Sequence, residues 1–162
     1  MKTHSRTVRP RIAGARNTFG DFVCMNCRHF VSADVVFSNV RNRNHCPYCL
    51  SSRHLDLYEA GDRLSACKGC MRPLALTVKR STKKYARANS GELMLVHACD
   101  ECGKLSINRI AADDSNTAVL EIFEASARLD DHTRLLLSQS GIDMLNAADR
   151  PFVSQQLWGR SE

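Results

Sequence analysis

Aromatic side chains are scarce in this 162-residue chain, at 6% of the total, which excludes a large core built on packed rings. No apolar run approaches the roughly 20 residues that a membrane-crossing helix needs, and the first sixteen residues, MKTHSRTVRPRIAGAR, hold nothing resembling the apolar core of an export signal. The expectation is therefore a cytoplasmic protein with no membrane partner. A phosphate-cradling glycine loop, a nucleophile elbow and a His-Glu-x-x-His helix are all missing, so the usual signatures of phosphoryl transfer, acyl transfer and zinc hydrolysis do not apply. No enzyme is expected. An unpaired cysteine is also lacking: all eight fall into four Cys-x-x-Cys pairs.

Those pairs are Cys24 with Cys27, Cys46 with Cys49, Cys67 with Cys70, and Cys99 with Cys102. Disulfide frameworks seldom repeat one spacing four times, and reduced thiols in the cytoplasm bind metal. A thioredoxin-like dithiol needs one such pair at a strand-to-helix junction, which four pairs among short apolar runs do not resemble. Each pair is a candidate zinc knuckle. Zinc takes four donors at about 2.3 Å, so four pairs make two sites and call for two Zn2+ ions. Eighteen residues separate Cys27 from Cys46 and twenty-eight separate Cys70 from Cys99. The first gap lies in the ribbon range of about 15 to 20. The preferred pairing is sequential, Cys24, Cys27, Cys46 and Cys49 for one ion and Cys67, Cys70, Cys99 and Cys102 for the other, because each set encloses a hairpin. An interleaved pairing fits the same cysteines. His45 and His97 lie near the pairs as alternative donors, with supporting hydrogen bonds or a base contact preferred for them. Gly103 suits the left-handed turn after the last pair, whereas Arg28, Leu50 and Met71 follow the others and must manage without glycine.

Patterning divides the chain into a flexible basic arm over 1–18, a β-rich segment of two zinc ribbons over 19–112 and an acidic helical segment over 113–162. The fold class is α+β. Short strands are expected at FVSADVVF (30–37), at 55–58 and at 105–110, and a long hairpin joins 74–78 to 93–97 around the turn signal Asn89-Ser90-Gly91. Asp113, Asp114 and Ser115 precede a helix whose Val119, Leu120, Ile122, Phe123 and Ala127 share a face; further helices are expected over 131–139 and up to Trp158. Leu135, Leu136, Leu137 and Trp158 read as helical core.

The net charge of +6 is unevenly spread. The arm carries five basic residues and no acid within its first sixteen, residues 61–112 hold ten basic against four acidic, and residues 113–162 hold nine acidic against four basic. A polyanion is the natural partner of the basic part. Candidate contacts are Arg41, Arg43, Asn44 and His45 beside the second pair, and Lys79, Arg80, Lys83, Lys84, Tyr85 and Arg87 around the hairpin tip, with Tyr85 available to stack on an unpaired base. RNA, ribosomal in the first instance, is preferred over DNA because no zinc-finger recognition helix is visible. The competing expectation is a zinc-stabilised adaptor without nucleic acid, whose acidic tail binds a protein partner or folds back over the basic part.

Arg43-Asn44-His45-Cys46-Pro47 spells the string after which the RNHCP domain family is named. Together with FVCMNC, RNHCPYCLSSRHLDL, Gly61-Asp62-Arg63 and HACDECGKLSINRIAADD, it makes residues 19 to about 115 resemble that family. The resemblance implies a zinc-ribbon-like module.

Overall fold

The computed structural model describes residues 20–80 and 91–159. The basic arm lies outside them, as do Lys83, Lys84, Tyr85 and Arg87. Among the described residues there are two antiparallel sheets. Strands β1 (Phe22–Val23) and β2 (Phe30–Val31) form the smaller. The larger has the order β3-β4-β5-β6, from Ser52–Arg53, Cys70–Arg80, Gly91–Cys99 and Leu105–Arg109. A short helix α1 (Val35–Ser38) follows β2, and α2 (Asn116–Ser126), α3 (Asp131–Gln139) and α4 (Arg150–Trp158) follow β6. This is the expected α+β fold.

Two segments expected as strands are not. FVSADVVF pairs only at Phe30 and Val31, because the Asp34 carboxylate accepts from Val36 N–H and caps α1 instead. Residues 55–58 join a loop in which the Asp62 carboxylate accepts from the N–H groups of Leu57, Tyr58, Glu59 and Leu64. Local side-chain acceptors outcompete strand pairing in both places. Apolar alternation wins in the long hairpin, where Leu76 pairs with Leu95 and Val78 with Leu93.

That hairpin face is the centre of the core. Leu76, Leu93 and Leu95 pack with Leu50 of the ribbon part, Val119 and Phe123 of α2, and Val153 of α4. Each such side chain contributes about 1.5 to 3 kcal/mol when fully buried. Strands and tail helices thus share one core. The register shifts between Pro73 and Ala75, where proline offers no N–H to the ladder. Beyond it, Ala75 and Val96 meet Leu137 of α3 in a second cluster. Of the residues read as helical core, Leu137 is buried, whereas Leu135, Leu136 and Trp158 are exposed. Three consecutive leucines span most of a helical circumference, so they cannot all face the sheet. Among the described residues no helix is long and apolar enough to cross a membrane.

Candidate metal centres

Three of the four cysteine pairs close in the same way. Arg28 N–H donates to Cys24 C=O, Leu50 N–H to Cys46 C=O and Gly103 N–H to Cys99 C=O, at 2.9 to 3.1 Å. The first cysteine of each pair then donates its own N–H five residues onward, to His29, Ser51 and Lys104. Each turn requires the left-handed region after its second cysteine, and Arg28, Leu50 and Gly103 have φ of 65°, 59° and 71°. Backbone N–H groups aim at the sulfurs: Asn26 and Cys27 toward Cys24, Tyr48 and Cys49 toward Cys46, Ser51 toward Cys49. Burial pushes the Cys24 and Cys46 thiols up. It acts on Cys49 as well, but hydrogen bonds from the Asn26 side chain and from Ser51 outweigh it and bring that thiol down to about 6.

Cys24, Cys27, Cys46 and Cys49 converge as the sequential pairing expects. Cys24 Sγ lies 3.6 Å from Cys49 Sγ, and Cys27 Sγ 3.5 Å from Cys46 Sγ. A disulfide has its sulfurs about 2.05 Å apart, whereas four sulfurs arranged tetrahedrally at 2.3 Å from one zinc are about 3.8 Å from each other. The geometry fits the metal.

The second centre departs from expectation. Its converging donors are His54, Cys67, Cys99 and Cys102, and Cys70 is not among them. Cys67 Sγ is 3.6 Å from Cys99 Sγ, and His54 Nδ1 is 3.3 Å from Cys102 Sγ. The reason is local. The Cys67 pair does not close a knuckle: the left-handed residue is Lys68, inside the pair, and at Cys70 the chain already enters β4, with Met71 paired to Cys99. Gly69 passes so close to the centre that a Cβ there would lie 3.1 Å from Cys99 Sγ and clash with the Glu101 side chain. His54 is 4% exposed, and its Nε2 has no hydrogen-bond partner among the described residues. The His54 backbone N–H donates to Gly69 C=O, which brings the imidazole beside the Cys67 turn. His54 is the functional residue that sequence reading missed; a follower other than glycine gave no signal at Met71, since Arg28 and Leu50 close their turns without glycine. His45 and His97, weighed as substitutes, belong to neither donor set. Both sets hold four N or S donors of the kind structural zinc takes, so the chain is built to hold two zinc ions.

The segment expected to touch nucleic acid beside the second pair is instead interior. Arg43, Asn44 and His45 are 2%, 7% and 2% exposed. Arg43 Nη1 lies 2.7 Å from Asp113 Oδ2, its Nη2 3.2 Å from Asp114 Oδ1, and its Nε donates to His45 C=O. His45 Nε2 meets Asp114 Oδ2 at 2.7 Å. Asn44 Nδ2 donates to Asp56, and Arg63 donates to Asn44 Oδ1. A buried, fully paired guanidinium offers nothing to a phosphate, so these three residues are corrected to internal roles. Asp113 and Asp114 thereby serve Arg43 and His45, leaving Ser115 as the N-cap of α2. Arg41, Lys79 and Arg80 stand exposed on the surface.

A family model described as the RNHCP domain matches residues 19–120, the ribbons together with the first turn of α2. No curated protein and no solved structure matches the chain.

Proposed function

The chain belongs to the RNHCP domain family, and from that premise we propose that it is a zinc-built RNA-binding protein that acts on the ribosome or elsewhere in the translation machinery. One observation carries the reading: the ribbon half keeps exposed cations that the acidic tail does not neutralise. The ion pairs of tail acids, among the described residues, go to Arg43, His45 and Arg150. None goes to the exposed Arg41, Arg53, Lys79, Arg80 or Lys104. The tail is held by those buried pairs and by apolar packing through Val119, Phe123 and Val153, so a field of positive charge is left for a polyanion. The same docking argues against a tail that competes with RNA by folding over the basic surface. With four protein donors at each centre, zinc has no open position for water or substrate, and its role in this reading is structural, not catalytic.

An adaptor that binds a protein is the second reading. It is favoured by Val36 and Phe37 on α1, which are 85% and 61% exposed beside the first ribbon. Co-sedimentation of the zinc-loaded protein with ribosomal subunits and with free ribosomal RNA, across a salt series, separates the two. Retention on one subunit at physiological salt supports the RNA reading, with affinity falling as salt rises. Release from both at moderate salt puts the adaptor first.

A further inference from the structure

A concave surface with a volume of about 860 Å³ runs between β6 and two loop segments, residues 39–45 and 53–60. Strand β6, which ends the four-stranded sheet, contributes 105–109 to the lining, beside Met71 and Lys79 of β4 and Met94 of β5. Arg41, Arg53, Lys79, Lys104 and Arg109 line the groove and are exposed. The acids on the same lining are Asp56 and Glu59. Asp56 is already spent, accepting from Gly61 N–H, Arg63 N–H and Asn44 Nδ2. Arg109 shares a surface pair with Glu92 at 3.0 Å, an exposed contact worth little against a phosphate. The groove therefore presents a surplus of positive charge.

Its rim carries an aromatic ring in an unusual setting. Tyr58 is 82% exposed, yet the backbone around it is tied by several hydrogen bonds. Asp62 accepts the N–H groups of Leu57, Tyr58, Glu59 and Leu64, and those four donors hold its carboxyl far below the ordinary carboxylate range. Lys104 Nζ donates to Leu57 C=O from across the groove, and Asn42 Nδ2 donates to Ala60 C=O at 3.3 Å. Gly61 permits the close pass: its φ is 93°, and a Cβ there would collide with the Asn42 side chain. So many bonds spent on one loop fix the place of a ring that packs against little of the protein.

We propose that this groove is a binding site for single-stranded RNA, with the phosphate backbone along Arg41, Arg53, Lys79, Lys104 and Arg109 and an unpaired base stacked on Tyr58. The assignment rests on the RNA reading above and names where and in what form the RNA is held. An exposed ring has a face to offer only to a base that is not already stacked in a duplex. The volume is that of a small-ligand pocket, suited to a few nucleotides, not to the breadth of a double helix. Charge decides against a peptide strand added to β6, since peptide affinity would come from main-chain bonds and needs no row of cations.

Fluorescence anisotropy of the zinc-loaded full chain tests this, with a labelled mixed-sequence RNA of about twelve nucleotides, the corresponding duplex, and polyglutamate of equal charge as competitor. Tyr58→Ala is expected to weaken the single strand about tenfold to a hundredfold and leave the duplex unchanged. Arg53→Ala with Arg109→Ala is expected to flatten the salt dependence by about one unit of log–log slope per arginine. Arg72→Ala, a cation outside the groove, is the control, and zinc content verifies that every variant has folded. Undiminished single-strand binding by the Tyr58 and arginine variants, alongside binding by the intact protein, overturns the groove while leaving the RNA reading in place. Equal affinity for single strand and duplex, or competition by polyglutamate as strong as by RNA, also overturns it. No binding of any RNA by the intact protein removes the RNA reading itself.

Discussion

His54 and Cys70 exchange the parts that spacing alone would give them. A Cys-x-x-Cys pair advertises its ligands because a knuckle is a local turn, and Cys24, Cys27, Cys46, Cys49, Cys99 and Cys102 were legible for that reason. The third pair shares the spacing but not the turn: β4 captures Cys70 through a ladder with β5 that no local pattern announces. His54 meets Cys102 across 48 positions of sequence, so its role depends on how the hairpin folds back. Metal content reads the exchange directly. His54→Ala is expected to lower zinc from two ions per chain to about one, whereas Cys70→Ser keeps both, as measured by native mass spectrometry. Loss of an ion in Cys70→Ser alone would restore the four-cysteine set.

At the scale of the element, the RNHCP segment is a fastening. Arg43 and His45 join the second knuckle to the acidic start of α2, and Ser115 N–H donates to Pro47 C=O in the same junction. Removing one partner of a buried pair leaves a charge without compensation, at a cost of about 3 to 5 kcal/mol. Asp114→Ala, which strips His45 of its carboxylate and leaves Arg43 with Asp113 alone, should lose stability toward the lower end of that range in urea unfolding at saturating zinc, with both ions retained. An unchanged midpoint would reduce the pair to a bystander. The sequence displays these charges plainly but not their burial, since the partners lie about seventy positions apart. Helix α2 itself was legible: its apolar face and capping serine are written in consecutive residues. Helix α1 was not, because four residues carry no periodicity and one aspartate decides between turn and strand.

For the whole molecule, the consequence of one shared core is that metal and helices stand together. Leu50 ends the second knuckle and is also packed among Leu76, Leu95, Val119 and Phe123. A structural zinc contributes on the order of 10 kcal/mol near neutral pH, comparable to the whole stability of a small domain. Chelation is therefore expected to abolish the strand signal and most of the helical signal in circular dichroism together, and added zinc to restore both. Helices that persisted in chelator would show the tail to be independent of the ribbons. The chain from Cys46 to His54 also serves both centres, with Cys46 and Cys49 given to one and His54, five residues after Cys49, to the other. Once the first ion is seated, His54 is tethered to a fixed point by a very short loop, and short loops close at a smaller entropic cost than long ones. Filling is therefore expected to be ordered, the first ion preparing the way for the second, with half-filled chains rare in a native mass spectrometry titration with zinc.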